Sequence, residues 1–175
     1  RRTTSERFRE AAADAAAAVR GEGPRTPKSR APRQSIRLES DGKTAVVVPG
    51  AGGRDDGLLV VLRGEVSLGA FGAIQNAACG RGMGVLIAPG TASVKSCIRD
   101  AVATGLVRER PLRVLGLGGT ASRAAEVGKD LEADDVVLLD KRPFHAPAEA
   151  RVVVAAKPFA AALKDAAVLS KILGD

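Results

Sequence analysis

An apolar run that ends in glycine and leads into a helical pattern occurs three times in this 175-residue chain. The runs cover residues 58–64, 84–90 and 113–119. Apolar runs of this length, without polar alternation, are typical of strands buried on both faces of a sheet. Their spacing fits a strand, a helix and two short loops. The pattern predicts an α/β fold whose glycine-rich turns meet at one edge of the sheet, a common place for a ligand.

The remaining patterns extend this sheet in both directions. Asp41-Gly42 separates strand-like residues 35–39 from residues 43–48, which is a strong hairpin signal. We predict helices over residues 67–79, 92–106, 120–132 and 159–173, and further strands over residues 136–140 and 151–156. The fold class is therefore α/β, a small mixed sheet with helices in which a β-hairpin and a βα unit come first.

The first part of the chain differs from the rest in charge. Residues 1–37 contain ten Lys or Arg and four Asp or Glu, whereas residues 38–175 contain seventeen and sixteen. We predict a basic arm over residues 1–34 with a short helix and a Pro/Gly/Arg linker, an α/β domain over 35–158, and a C-terminal helix over 159–175. Basic arms typically bind polyanions through phosphates, which favours RNA as the partner.

A family resemblance begins at Gly84, where the predicted order is strand, helix, strand, helix, strand, strand. This order resembles the Alba superfamily of small nucleic-acid-binding proteins, over about residues 84–158. Residues 118–126, Gly-Gly-Thr-Ala-Ser-Arg-Ala-Ala-Glu, look like that family's Gly-Arg-Ala-Ile-Ser-Lys-Ala-Val-Asp. The resemblance implies that Ser122 and Arg123 lie near a phosphate and that two copies can pair. In another register, residues 87–107 are reminiscent of the related sporulation stage V protein S group.

The predicted nucleic-acid contacts combine the basic residues of the arm with residues near the turns. They are Arg1, Arg2, Arg7, Arg9, Arg20, Arg25, Lys28, Arg30, Arg33, Arg37, Lys95, Gly119, Ser122, Arg123, Lys141 and Arg142. Thr91 and Thr120 add hydroxyls suited to phosphate, and Gly118 and Gly119 are expected to need positive φ or a close backbone approach. Because the chain has no Trp or Tyr and four Phe, RNA contact is expected through phosphate and shape rather than base stacking.

Catalytic chemistry has little support in the sequence. The single histidine, His145, is interpreted as a surface loop residue, and Cys79 and Cys97 lie on apolar helical faces as buried thiols. We therefore predict no catalytic residues, no metal and no cofactor. No apolar run reaches the ~18 residues of a membrane span, so no membrane contact is expected.

Three functional hypotheses follow from these patterns. The first is a non-enzymatic, RNA-contacting structural subunit of an organellar ribonucleoprotein, a mitochondrial ribosome, with rRNA and neighbouring proteins as partners. A Rossmann-like nucleotide-binding enzyme or regulatory subunit is the alternative, because Gly116–Ser122 followed by Asp140 imitates a dinucleotide fingerprint. A protein-only adaptor in a large complex is the third. Residues 1–5 look like the end of a transit peptide, which favours the mitochondrial matrix, with the cytoplasm as the other possibility.

Overall fold

One seven-stranded sheet organises the chain. The computed structural model describes residues 35–40, 42–51, 56–141 and 147–174. The strands are β1 (Ile36–Ser40), β2 (Lys43–Val48), β3 (Leu58–Leu62), β4 (Gly84–Ala88), β5 (Leu112–Leu117), β6 (Asp135–Asp140) and β7 (Ala150–Val154). Their order is β1-β2-β4-β3-β5-β6-β7. Strand β2 is antiparallel to β1 and β4, and the other neighbours are parallel, which confirms the predicted α/β class.

Helices pack on both faces of this sheet. They are α1 (Gly72–Gly80), α2 (Val94–Ala103), α3 (Ala121–Asp130), α4 (Phe159–Ala162) and α5 (Ala166–Leu173), and 3-10 turns at Leu68–Phe71 and Gly118–Thr120 precede α1 and α3. The single helix predicted over 159–173 is wrong. The Asp165 side chain accepts a hydrogen bond from the Ala167 amide at 3.0 Å and so begins a new helix. No helix of the described residues is long and apolar enough to cross a membrane.

The two faces of the sheet carry separate apolar cores. Phe71, Ile74 and Cys79 around α1 join Leu163 and Ile172 near the C-terminus on one face. On the other face, the apolar sides of α2 and α3 cover the sheet; they include Cys97, Ile98, Ala101 and Ala124. Both cysteine side chains are buried, as predicted. Every residue of β3 is 0% exposed, which explains why that run contains no polar alternation.

Strand β3 marks the point where the chain reverses its direction across the sheet. It pairs with β4 on one side and with β5 on the other, and all three strands are parallel. The carboxyl ends of these strands therefore lie at one edge, so the turns that follow them meet there, as the repeated glycines predict. In open α/β sheets, ligands bind in the crevice outside such a switch point.

Candidate functional site

The turn after β5 is tight because glycine at two positions allows a backbone path that a side chain would block. Gly118 has φ of +51°, in the left-handed region that favours glycine. A Cβ atom on Gly116 would lie 2.4 Å from the Cβ of Ala124, so α3 packs directly on the backbone of β5. Gly119 has open space around its Cα and no positive φ. The expectation of such a constraint is therefore confirmed for Gly118 and wrong for Gly119.

Thr120 joins this turn to the neighbouring strand β3. The side chain is buried, and its Oγ1 accepts a hydrogen bond from the Leu117 amide at 2.9 Å and lies 3.0 Å from the carbonyl oxygen of Leu62. A hydroxyl has one proton to donate, and the Leu62 carbonyl can receive it. The Thr120 hydroxyl is therefore a structural link rather than the exposed phosphate ligand expected from the sequence.

The turns after β3 and β4 converge on the methyl group of the same threonine. A Cβ atom on Gly64, whose φ is +58°, would lie 3.1 Å from the Cγ2 atom of Thr120. A Cβ atom on Gly90 would lie 3.0 Å from that methyl group and 3.5 Å from the Gly64 amide nitrogen. We call the three turns, at Gly64, Gly90 and Gly118, the central turns. Side chains at Gly64 and Gly90 would push these two turns away from Thr120.

The third central turn shares its place between a strand and a helix, and its first glycine, with a known catalytic motif. In α/β hydrolases, a Gly-x-Ser-x-Gly turn between a strand and a helix presents the serine nucleophile. The oxyanion hole combines the N–H of the next residue with an N–H from the loop after β3. Residues 116–120, Gly-Leu-Gly-Gly-Thr, keep the first glycine of the motif, but Gly118 stands where the serine would be and Thr120 stands where the last glycine would be.

The ring of Phe159, at the start of α4, covers the bare Cα of Gly118. A Cβ atom at position 118 would lie 2.7 Å from the ring's Cε2 atom. The ammonium nitrogen of Lys141 lies 5.7 Å from the centre of the same ring, within the range of a cation–π contact. The space beyond Gly118 is therefore filled by an aromatic side chain, which sequence reasoning missed because nothing local links residue 159 to residue 118.

Two cations flank the turn after β4. The Lys43 ammonium donates to both the carbonyl and the hydroxyl oxygen of Thr91, each at 2.8 Å. The guanidinium of Arg123 donates to the Ala92 carbonyl, and Ser122 is exposed beside it. Sequence reasoning missed Lys43, although its position next to the Asp41-Gly42 hairpin was a usable signal.

The other predicted contacts are scattered. Arg37 lies in the middle of the edge strand β1, opposite Val46, and Lys95 is exposed on α2. The structure therefore brings Gly119, Ser122 and Arg123 together, with Lys141 beside Phe159, but leaves Arg37 away from them. The predicted contacts that lie outside the described residues are Arg1, Arg2, Arg7, Arg9, Arg20, Arg25, Lys28, Arg30, Arg33 and Arg142. His145, which is interpreted as a surface loop residue, also lies outside them.

Two carboxyl groups of the described residues have clearly lowered pKa values, and both serve structural contacts. The Leu112 amide donates to Asp134 at 2.6 Å, and this hydrogen bond, with the charge of Arg110, holds the Asp134 pKa below its usual range. Lys157, which donates to Asp165 at 3.1 Å, lowers the pKa of that carboxyl together with the Ala167 amide. Neither group belongs to the central turns.

No protein-family model matches this chain. A search of curated proteins also gave no match.

Solved structures match part of this chain. The esterase domain of a Rhodothermus marinus protein is 16% identical and covers 61% of this chain and 51% of its own, with a TM-score of 0.48. A Mycobacterium tuberculosis puromycin-hydrolyzing peptidase is 14% identical and covers 61% of this chain and 22% of its own, with a TM-score of 0.45. TT1662 from Thermus thermophilus is 18% identical and covers 77% of this chain and 67% of its own, also with a TM-score of 0.45. The chain spans about half the length of the first esterases it matches.

These matches contradict the first functional hypothesis. That hypothesis describes a non-enzymatic, RNA-binding, ribosomal subunit, whereas the matched structures include esterases and a peptidase. The prediction is therefore wrong, both in its ribosomal role and in excluding enzymatic activity. Its physical basis was the charge of residues 1–37, nearly all of which lie outside the described residues. At these identities and TM-scores, the likeness transfers no activity or residue role. The Alba resemblance, the mitochondrial location and the neighbouring proteins stay predictions.

Proposed function

We propose that this chain binds a small ester-class molecule by its carbonyl or carboxylate oxygen at the central turns. The observation that carries the proposal is the turn at Gly118, which has φ of +51° and is tied to β3 through Thr120. This turn lies at the switch point of the parallel strands, where α/β sheets bind their ligands.

The donors that would hold such an oxygen are backbone amides. The first amides of a helix have no acceptor within the helix, and Gly118–Thr120 begins the helical segment that continues into α3. Aligned peptide dipoles place partial positive charge at this end. Lys43 and Arg123 add full positive charges at the rim. An anionic or strongly polarised oxygen is therefore the ligand group that this edge favours.

The side-chain chemistry of the turn differs from that of a serine hydrolase. Gly118 has no hydroxyl group, so hydrolysis of a bound ester would take its nucleophile from a group other than residue 118. The ring of Phe159 also occupies the space over Gly118. An acyl group can reach that space only after the ring moves, so we expect the ligand to enter beside Phe159 or to displace it.

Amide chemical shifts, measured by NMR during titration with butyrate and with methyl butyrate, test this proposal. We expect the amides of Gly64, Glu65 and Gly119 to shift with both probes, and butylamine, which offers no oxygen, to leave them unchanged. An absence of shifts at these amides would overturn the proposal.

A matched pair of variants at one position isolates the amide. Gly119→Pro removes the N–H, whereas Gly119→Ala keeps it and places its Cβ in open space. We expect butyrate to bind at least about tenfold more weakly to Gly119→Pro and unchanged to Gly119→Ala. Equal affinity of the two variants would exclude the Gly119 amide as a donor. If Gly119→Pro does not fold, the amide shifts of the parent protein decide.

A further inference from the structure

A groove beside β7 lies on the sheet face that α2 and α3 cover elsewhere. Helix α3 contacts β5 and β6, and α2 contacts β1 and β4. The opposite face of β7 is contacted by α5. On the face that carries α2 and α3, none of the described helices covers β7, the last strand of the sheet. We call the resulting cavity of about 680 Å³ the β6–β7 groove.

The floor of the groove is apolar. Val136 and Leu138 of β6 and Ala150 of β7 line it, and Ala125 of α3 contributes from the side. Val154 of β7 continues the same strand face and is 49% exposed, one of two large apolar side chains exposed in the described part of the chain. Neighbouring helices pack about 8–10 Å apart, so a helix beside α3 would lie over β7, whose face on this side no described helix covers.

The rim of the groove is acidic. On α3, Ser122, Ala125, Glu126 and Lys129 form one stripe, since residues three and four apart share a helix face. Glu132 and Glu149 lie at the end of the groove. None of these three glutamates forms an ion pair with a described basic residue, whereas Asp134 and Asp135 are paired with Arg110 and Arg151. One lysine thus faces three unpaired carboxylates.

We propose that the β6–β7 groove binds an amphipathic helix of a partner protein, with leucine-like side chains on the floor and lysine or arginine facing Glu126, Glu132 and Glu149. The place beside α3 and over β7 suits a helix, and the rim selects its charge. This surface is separate from the central turns. It would complete the helical layer on this side of the sheet, as α5 does on the other side.

The test uses a fluorescent synthetic helix of about 15 residues, with leucines on one face and lysines flanking them. The control peptide carries glutamate in place of every lysine. The net charge of the chain is +7, so non-specific attraction favours the acidic peptide, and a preference for the lysine peptide requires an acidic site. We expect fluorescence anisotropy to show binding of the lysine peptide at least about tenfold tighter than the glutamate peptide. Equal affinity, or preference for the glutamate peptide, would overturn the proposal.

Matched variants locate the binding. Glu126→Lys on the rim and Ala150→Phe on the floor should each weaken the lysine peptide about tenfold. Glu109→Lys and Ala160→Phe, at exposed positions elsewhere, should not change the affinity. Equal losses in the control variants would overturn the assignment to the groove. Self-association of the parent that Ala150→Phe abolishes would overturn it as well, because a second copy would then be the occupant. If a variant does not fold, the two peptides on the parent protein decide.

Discussion

The middle of the sheet and its β7 end are built on opposite principles. At the central turns, the backbone at Gly64 and at Gly90 approaches the methyl group of Thr120 so closely that neither glycine has much room for a side chain. At β7, one face is packed under α5 while the other carries the half-exposed Val154 and the β6–β7 groove. The middle therefore offers backbone groups in fixed positions, and the end offers side chains on an open surface.

This difference separates the positions that can tolerate change from those that cannot. A central turn cannot gain a side chain without moving its neighbours, because protein interiors are close-packed. An open strand face can exchange one side chain for another at little cost to folding. We therefore expect stability to depend on the middle of the sheet and to be insensitive to the uncovered face of its β7 end.

The largest effect is expected for Gly116→Val. The new side chain would overlap the Cβ of Ala124 and the backbone of Ala121, which lie 2.4 and 3.0 Å from an added Cβ atom. Overpacking of this severity should lower the free energy of unfolding by about 3 kcal/mol or more, measured by urea denaturation. Gly72→Ala, where an added Cβ meets nothing within 4 Å, should stay within about 1 kcal/mol of the parent. A fully stable Gly116→Val protein would contradict the packing described for α3.

A smaller loss is expected for Thr120→Val, which keeps the methyl group that Gly64 and Gly90 approach but removes the hydroxyl. The Leu117 amide and the Leu62 carbonyl then lose a buried partner, at a cost of about 1–3 kcal/mol in the free energy of unfolding. The exposed Thr91→Val is the matched control and should change stability by no more than about 0.5 kcal/mol. If both variants behave alike, Thr120 does not link the turns.

Two neighbouring valines of β7 compare the faces of one strand. Val153 is 6% exposed beneath α5, so Val153→Thr buries a hydroxyl and should lower the free energy of unfolding by about 1–3 kcal/mol. Val154, on the other face, is 49% exposed, and Val154→Thr should change the free energy of unfolding by no more than about 0.5 kcal/mol. Equal losses would mean that the face carrying Val154 is covered in solution.

The smallest effect concerns Asp134, at the edge of the sheet opposite the central turns. Its pKa is lowered from 3.8, chiefly because the Leu112 amide donates to the carboxylate. A carboxyl with a lowered folded pKa contributes stability above its unfolded pKa, and that contribution is lost as pH falls through the folded value. Asp134→Asn should therefore be less stable than the parent at neutral pH, and the difference should shrink below about pH 3.8. Urea midpoints across this range would show a constant difference if the carboxylate played no part.

The sequence predicted the elements where local signals were strong. The apolar run over residues 113–119 correctly indicated β5, because the run ends at a glycine turn, and Asp41-Gly42 correctly placed the hairpin. The break before α5 was missed because the apolar positions on either side of Asp165 read as one amphipathic helix. The cap at Asp165 was a signal that could have corrected this.

The site was predictable in position but not in detail. Three glycine-ended runs indicated that their turns meet at one edge, which the pairing of β3 with β4 and β5 confirms. The sequence could not show that Gly118 rather than Gly119 takes the left-handed conformation, because both precede the same helix. It also could not place Phe159 over Gly118, since that contact depends on how α4 packs. The functional hypothesis relied on the charge of the arm, and charge describes a partner's sign rather than a reaction.

The place of β3 in the sheet has a consequence for the nascent chain. Its five buried residues pair only with β4 and β5, both of which are synthesised later. At the usual speed of translation, Leu58–Leu62 would wait for its last partner for a time on the order of seconds after leaving the ribosome. An apolar, β-prone segment without partners is the part of a chain most prone to pair with another molecule. The yield of soluble protein should therefore depend on how fast the ribosome delivers β5 and on whether a chaperone shields β3 until then.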